Sequence, residues 1–269
     1  MAIFTDADHE FYEENGYVVA RGCVAKTKCD AVIDAVWEFL GMDRDDPEDW
    51  YREPHAPGGG MVHMHQHQSL WDTRQDPNVH AAFSEIIGSE KLWVSMDRAN
   101  MKPPKHDDHP KWDHGGFMHW DANTKKLPLG RGVQGVVYLT DTADNQGSFQ
   151  CVPGEHKHLL DPDNPFVPEL REENYRQIPG SAGDLLIWMT ALPHGNGRNT
   201  SDKPRLAQYI TMGRNRQTNE EGRQNRIKHW RERTPGGFPG DPRRIEEDEG
   251  TTAELTPLGR KLLGLDLWD

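Results

Sequence analysis

The chain has 269 residues, enough for one large domain or two small ones, and its 34% apolar content supports a core with little apolar surface to spare. No stretch nears the ~18 apolar residues of a membrane span, and the first ten residues show neither region of a secretory leader, so neither membrane insertion nor export is expected. Lys plus Arg number 31 against 44 Asp plus Glu, a net charge of −13 that repels phosphate backbones and argues against a nucleic-acid partner; the three cysteines (Cys23, Cys29, Cys151) form no Cys-x-x-Cys pair and fit reduced thiols in a cytoplasmic protein.

Thr5 or Asp6 is positioned to cap a first helix through Asn15, closed by Gly16, with Tyr17-Val18-Val19 as a short strand after it. A second helix is predicted from a cap at Thr27, with Cys29, Val32, Ile33, Val36, Trp37 and Leu40 on one face before Gly41. Asp76-Pro77 opens a third, which carries Val79, Phe83, Ile86 and Ile87 and ends at Gly88. From Leu92 the period becomes alternating: 92–101, 133–140, 148–152, 184–192 and 206–212 read as strands bounded by Gly, Pro, Asn and Asp. No helical pattern separates these runs, which excludes βαβ units and points to an antiparallel sandwich or jelly roll flanked by helices. The expected organisation is a single domain, 1–269: helices in 1–90, a β core in 91–213 and a polar, Arg-rich cap in 214–269.

Within Gly115-Gly116-Phe117-Met118-His119-Trp120-Asp121, a strand would turn His119 and Asp121 to one face and Trp120 to the other. An imidazole and a carboxylate presented together are two ligands of a divalent metal. His194, directly after the apolar run 184–192, is the candidate third. Two His and one carboxylate on one side of a metal leave positions open, as non-haem Fe(II) oxygen chemistry requires. Arg205, eleven residues on, offers a guanidinium for the far end of a dicarboxylate.

Together these residues resemble the phytanoyl-CoA dioxygenase family of Fe(II)- and 2-oxoglutarate-dependent oxygenases, which includes the ectoine hydroxylases. The likeness rests on His119-Trp120-Asp121, His194 and Arg205, on Gly147-Ser-Phe-Gln-Cys-Val-Pro-Gly-Glu-His-Lys (Glu155 where the family has Ser), on Gly183-Asp184-Leu and on the C-terminal Leu-Thr-Pro-Leu-Gly-Arg-Lys segment. The resemblance implies a double-stranded β-helix, a cupin-like jelly roll, with Fe(II) on His119, Asp121 and His194. It also implies 2-oxoglutarate as co-substrate on Arg205, with Asn100 (in Arg98-Ala-Asn-Met-Lys-Pro) and Gln134 as further contacts, and O2 as oxidant. Succinate and CO2 would be the co-products of hydroxylating a small polar metabolite or natural-product intermediate. Family halogenases carry a small residue where this chain has Asp121, so hydroxylation, desaturation or demethylation is expected instead.

Other histidines invite competing readings. His63, His65 and His67 would share a face if extended, as a second metal site, a pocket wall or solvated side chains; the Asp of a metallo-hydrolase His-x-His-x-Asp-His motif is missing. His106, His109 and His114 read as a polar loop before the metal motif. Residues 213–233 carry seven Lys or Arg against three Glu, which fits anion recognition or, by preference, a solvated helix face. A cupin-like protein that binds a metal and a small molecule without turnover is the alternative to an oxygenase. Such a binder needs neither open metal positions nor a dicarboxylate clamp.

Overall fold

The computed structural model describes residues 2–54, 58–216 and 218–269. Two helices frame the first strand: α1 (Asp6–Asn15), β1 (Tyr17–Ala20) and α2 (Lys26–Leu40). Next come β2 (Met61–Val62), α3 (Gln68–Arg74), α4 (Pro77–Ile87), β3 (Leu92–Val94) and β4 (Ala99–Lys102). The core continues through β5 (Val133–Tyr138), β6 (Phe149–Cys151), α5 (His156–Leu160), β7 (Arg176–Ile178), β8 (Leu185–Met189) and β9 (His194–Asn196). The chain closes with β10 (Arg205–Ile210), β11 (Met212–Arg214), α6 (Glu220–Glu232), α7 (Ile245–Asp248) and α8 (Pro257–Leu263).

A six-stranded antiparallel sheet, ordered β1-β8-β5-β10-β4-β2, faces a three-stranded sheet, β7-β6-β9, and β11 pairs with β3 beside them. This is the double-stranded β-helix expected of the sequence. Strand alternation divides the large sheet cleanly. Val136, Tyr138, Leu186, Trp188 and Ala207 point inward and pack with Phe149 and Cys151 of the small sheet. Val137, Leu185, Ile187, Leu206 and Ile210 point outward into the core shared with the helices. On that outer side Phe83 of α4 lies so close to β5 that a Cβ on Gly135 would sit 2.8 Å from its ring and 3.1 Å from two carbonyl oxygens, which explains a glycine in a central strand. The helices therefore occupy one face of the large sheet and leave the space between the sheets for a site.

Local signals succeed where the partner is local. Thr5 and Asp8 form a reciprocal capping box on α1, Gly16 ends it in the left-handed region at φ 82°, and Asp76 caps α4 with Pro77 at its first turn. The start of α2 differs from expectation. Ala25 is its N-cap with no side-chain bond, and Thr27 lies inside the helix. What fixes this start is tertiary: Val24 N donates to Gly183 O at 2.9 Å, tying the preceding residue to the sheet. The run 92–101 is also not one strand. It breaks after Val94 because β3 pairs with β11 and β4 with β10, with Ser95 N bonded to Thr211 O (2.7 Å) at the joint. Nor is the large sheet confined to 91–213, since β1 and β2 from the N-terminal region form its two edges.

Candidate iron and 2-oxoglutarate site

His194 opens β9, paired to Cys151 of β6. His119 is in no strand: it makes a single antiparallel bridge to His194, with His119 N–His194 O at 2.9 Å and His194 N–His119 O at 3.0 Å. The expected strand through 119–121 is thus corrected to one bridge, and it is the bridge that sets the two imidazoles side by side. Gly195 permits it, since a Cβ there would fall 2.0 Å from Phe117 O. Trp120 turns away from the site and donates its Nε1 to Ala191 O at 3.1 Å.

His119 Nε2 lies 3.4 Å from Asp121 Oδ1, and His194 Nε2 lies 3.5 Å from Asp121 Oδ2. One donor atom from each residue falls within 4.8 Å of the others, and no other such group of three occurs among the described residues. His194 Nδ1 contacts Leu192 O at 2.9 Å, so it carries the proton and Nε2 presents a lone pair to the centre. Gln134 Nε2 donates to Asp121 Oδ2 at 2.9 Å. The two imidazoles hold the Asp121 carboxyl far below the usual carboxylate range, and Asp121 raises His119 in return. Two imidazole nitrogens and a carboxylate oxygen, gathered on one side of an open space, fit Fe(II) by number, softness and charge. That space is a cavity of about 340 Å³ between the sheets, walled by Phe149, Trp188, Tyr209 and Phe238.

Arg205 and Asn100 are not among the residues that line this cavity; both are buried, and Tyr209, which does line it, is in reach of Arg205. Arg205 is fully buried, its Nη1 donating to Asn100 Oδ1 (3.1 Å) and, at the limit of reach, to Tyr209 Oη (3.4 Å), while Nε and Nη2 have no hydrogen-bond partner. Asn100 Nδ2 is anchored on Gly59 O at 2.7 Å. Directly across the ladder from Arg205 stands Lys102, 1% exposed, bonded through Nζ to the carbonyls of Gly197 and His114. Burial first, and Arg205 second, push the Lys102 ammonium down to about 7. Two buried cations beside unpaired N–H groups form an anion receptor suited to the far carboxylate of 2-oxoglutarate. Sequence reading missed Lys102. Its signal was a cation two residues after Asn100, on the same strand face.

The other histidines singled out by the sequence form no metal cluster among the described residues. β2 ends at Val62, and the three imidazoles beyond it differ in burial, His65 lying buried between half-buried His63 and exposed His67. His65 is buried with its ring nitrogens on Met96 O (3.2 Å) and Pro239 O (3.0 Å), and His67 caps α3 through Ser69. His106 and His109 bracket Glu48 at 3.6 and 3.7 Å, His109 stacking on Tyr51. His114 is half-buried, and its Nδ1 accepts from Gly116 N at 3.4 Å. The Arg-rich segment is divided: Arg214, Arg216, Lys228 and Arg231 are exposed, as a solvated face requires. Arg226 is half-buried on the carbonyls of Val94, Leu262 and Leu263, and Arg233 reaches those of Glu246 and Glu247, so these two cations stitch the C-terminal helices down. No helix among the described residues is long and apolar enough to cross a membrane.

A double-stranded β-helix with a His-Asp-His cluster inside its mouth defines a non-haem iron oxygenase of the cupin type. The family model "Phytanoyl-CoA dioxygenase (PhyH)" matches residues 12–207, and the chain belongs to that family. It is a 2-oxoglutarate-dependent dioxygenase, using Fe(II), 2-oxoglutarate and O2. Among its relatives, a putative phytanoyl-CoA dioxygenase of Dictyostelium discoideum is 22% identical over 260 residues, covering 76% of this chain and 74% of that protein. A 2-aminoethylphosphonate dioxygenase from an uncultured bacterium is 23% identical over 268 residues, covering 94% and 96%. The epimerase SnoN, solved with Fe3+, alpha-ketoglutarate and nogalamycin RO, shares the fold at TM-score 0.54 and 19% identity, covering 77% of this chain and 82% of its own.

Proposed function

We propose that this enzyme hydroxylates an unactivated C–H bond of a small polar metabolite or natural-product intermediate. The observation that carries the reading is the convergence of His119, Asp121 and His194, from two segments of the chain, on one side of a cavity between the sheets. In this reading those three residues hold Fe(II). Gln134 orients Asp121, Arg205 with Lys102 receives the C5 carboxylate of 2-oxoglutarate, and Asn100 holds the Arg205 guanidinium in place. When bound, the iron and co-substrate supply oxidative decarboxylation to succinate and CO2 and the oxidising power for C–H attack. The protein's share is orientation and a dry chamber. Phe149 and Trp188 pack against each other at the inner wall of the cavity and give it an apolar lining beside the metal-site residues.

Substrate size follows from the chamber. About 340 Å³ stands at the small end of the ~300–1,000 Å³ that ligand pockets occupy, and the co-substrate takes a share. That supports a small molecule over a bulky thioester. The near full-length similarity to an enzyme named for 2-aminoethylphosphonate supports it too. Asp121 occupies the carboxylate position, which favours hydroxylation over halogenation. The test is anaerobic addition of Fe(II) and 2-oxoglutarate, which should give a visible charge-transfer band that His119→Ala abolishes. A metabolite screen for substrate-dependent succinate release follows, with isotopically labelled O2 to show oxygen entering the product. A wild-type protein that forms no band sinks the reading of the site. Product lacking label sinks hydroxylation.

A further inference from the structure

The inward face of one strand pair carries a third basic side chain besides Arg205 and Lys102. The β4–β10 ladder sets Lys102 against Arg205 and Asn100 against Ala207, and Tyr209 N donates to Arg98 O at 3.0 Å, extending it by one more pair. Arg98, Asn100 and Lys102 thus alternate onto the same face. At ~3.3 Å per residue, Arg98 stands about 13 Å along the strand from Lys102. Arg98 thus stands two same-face pairs along the ladder from the cations that would hold the far carboxylate of 2-oxoglutarate.

Arg98 lines the same cavity as the three metal-site residues. Its side chain is only 17% exposed, and its nearest carboxylate oxygen, Asp97 Oδ1, is 3.9 Å from Nε, beyond hydrogen-bonding distance. Nε and Nη1 have no hydrogen-bond partner. A buried guanidinium with free donors is costly unless something meets them. The guanidinium lies over the Phe238 ring, 5.0 Å from its centre. Phe238 comes from the C-terminal cap, and its loop is pinned by His65 to Pro239 O and by Gln66 Nε2 to Thr234 O (2.7 Å). The cap therefore places an apolar wall beside an unsatisfied cation at the substrate end of the chamber.

We infer that Arg98 anchors the substrate, and that the substrate is a small organic anion: a carboxylate, phosphonate or phosphate on the Arg98 guanidinium, with its carbon skeleton along Phe238 toward His119 and Asp121. This rests on the reading of His119, Asp121 and His194 as the iron site. Its test uses methylphosphonate as the minimal anion, titrated anaerobically into the Fe(II)- and 2-oxoglutarate-loaded protein. Binding is followed by the charge-transfer band and by tryptophan fluorescence, since Trp188 lines the cavity. Wild type should respond saturably, and Arg98→Gln should need about tenfold more methylphosphonate or worse, its 2-oxoglutarate affinity staying within about twofold. Arg98→Lys, which keeps the charge, should fall between the two and serves as the comparison if Arg98→Gln melts early. A wild type with a normal band but no saturable response overturns the proposal, as does an Arg98→Gln protein that binds methylphosphonate like wild type. Loss of 2-oxoglutarate binding in Arg98→Gln would assign Arg98 to the co-substrate instead. A wild type without any band overturns the iron reading, and this proposal with it.

Discussion

Replacing Arg205 by Met separates co-substrate binding from folding more sharply than any other change at this site. In the free protein Arg205 is a fully buried cation facing the Lys102 amine, with no carboxylate among its hydrogen-bond partners. Truncating one partner of a buried, hydrogen-bonded charge pair costs about 2–5 kcal/mol of binding, and 1.4 kcal/mol is tenfold, so 2-oxoglutarate affinity should fall about 30-fold to several thousand-fold. Lys102 remains to attract the carboxylate, which favours the lower part of that range. Folding should respond in the opposite sense. The exchange removes a buried charge that has no counter-ion and with it the desolvation penalty, so the co-substrate-free variant should melt no lower than wild type. Calorimetric titration of 2-oxoglutarate into the Fe(II) protein under anaerobic conditions gives the first quantity, and a thermal melt without co-substrate gives the second. Wild-type 2-oxoglutarate affinity in the variant would rule out Arg205 as the co-substrate's partner, because the unpaired guanidinium nitrogens would then have no carboxylate to receive.

Lys102 makes a pH prediction from the same pair. The unfolded chain holds this proton up to about 10.5 and the folded chain only to about 7, so Lys102's contribution to the stability of the co-substrate-free protein falls as pH drops through that window and is level below it. Melts across pH should show this slope in wild type and lose it in Lys102→Met. 2-Oxoglutarate restores a negative neighbour, so binding near pH 8 should take up a proton, seen as calorimetric heats that differ between buffers of unlike ionisation enthalpy. Gln134→Leu removes the bond to Asp121 and should weaken Fe(II) about tenfold while the fold survives, measured by metal competition; unchanged affinity would remove Gln134 from the site. Gly195→Ala drives a methyl group into Phe117 O and must displace the His119 bridge, so metal affinity should drop by about tenfold or more, again by competition. An Ala variant that binds iron normally would show that the bridge does not position His119.

The chain alone determined whatever depends on near neighbours. The Thr5–Asp8 capping box, the Asp76-Pro77 start and Gly88 stop of α4, and the inward-outward alternation of β5, β8 and β10 follow from residues within a turn or two of each other. The identity of the three metal-site residues was legible for a similar reason: ligand chemistry belongs to residue types, and His119 and Asp121 are two apart. Tertiary structure decided the rest. Lys102 meets Arg205 across 103 residues of chain through strand register alone, His119 reaches His194 by one bridge rather than a strand, and Phe238 arrives from the C-terminal cap to wall a cavity built by the core. Periodicity gives the face on which a side chain emerges, but it carries no information about which distant strand lies opposite. That pairing is set by how the two sheets close and by where small residues such as Gly135 and Gly195 let backbone and ring come near.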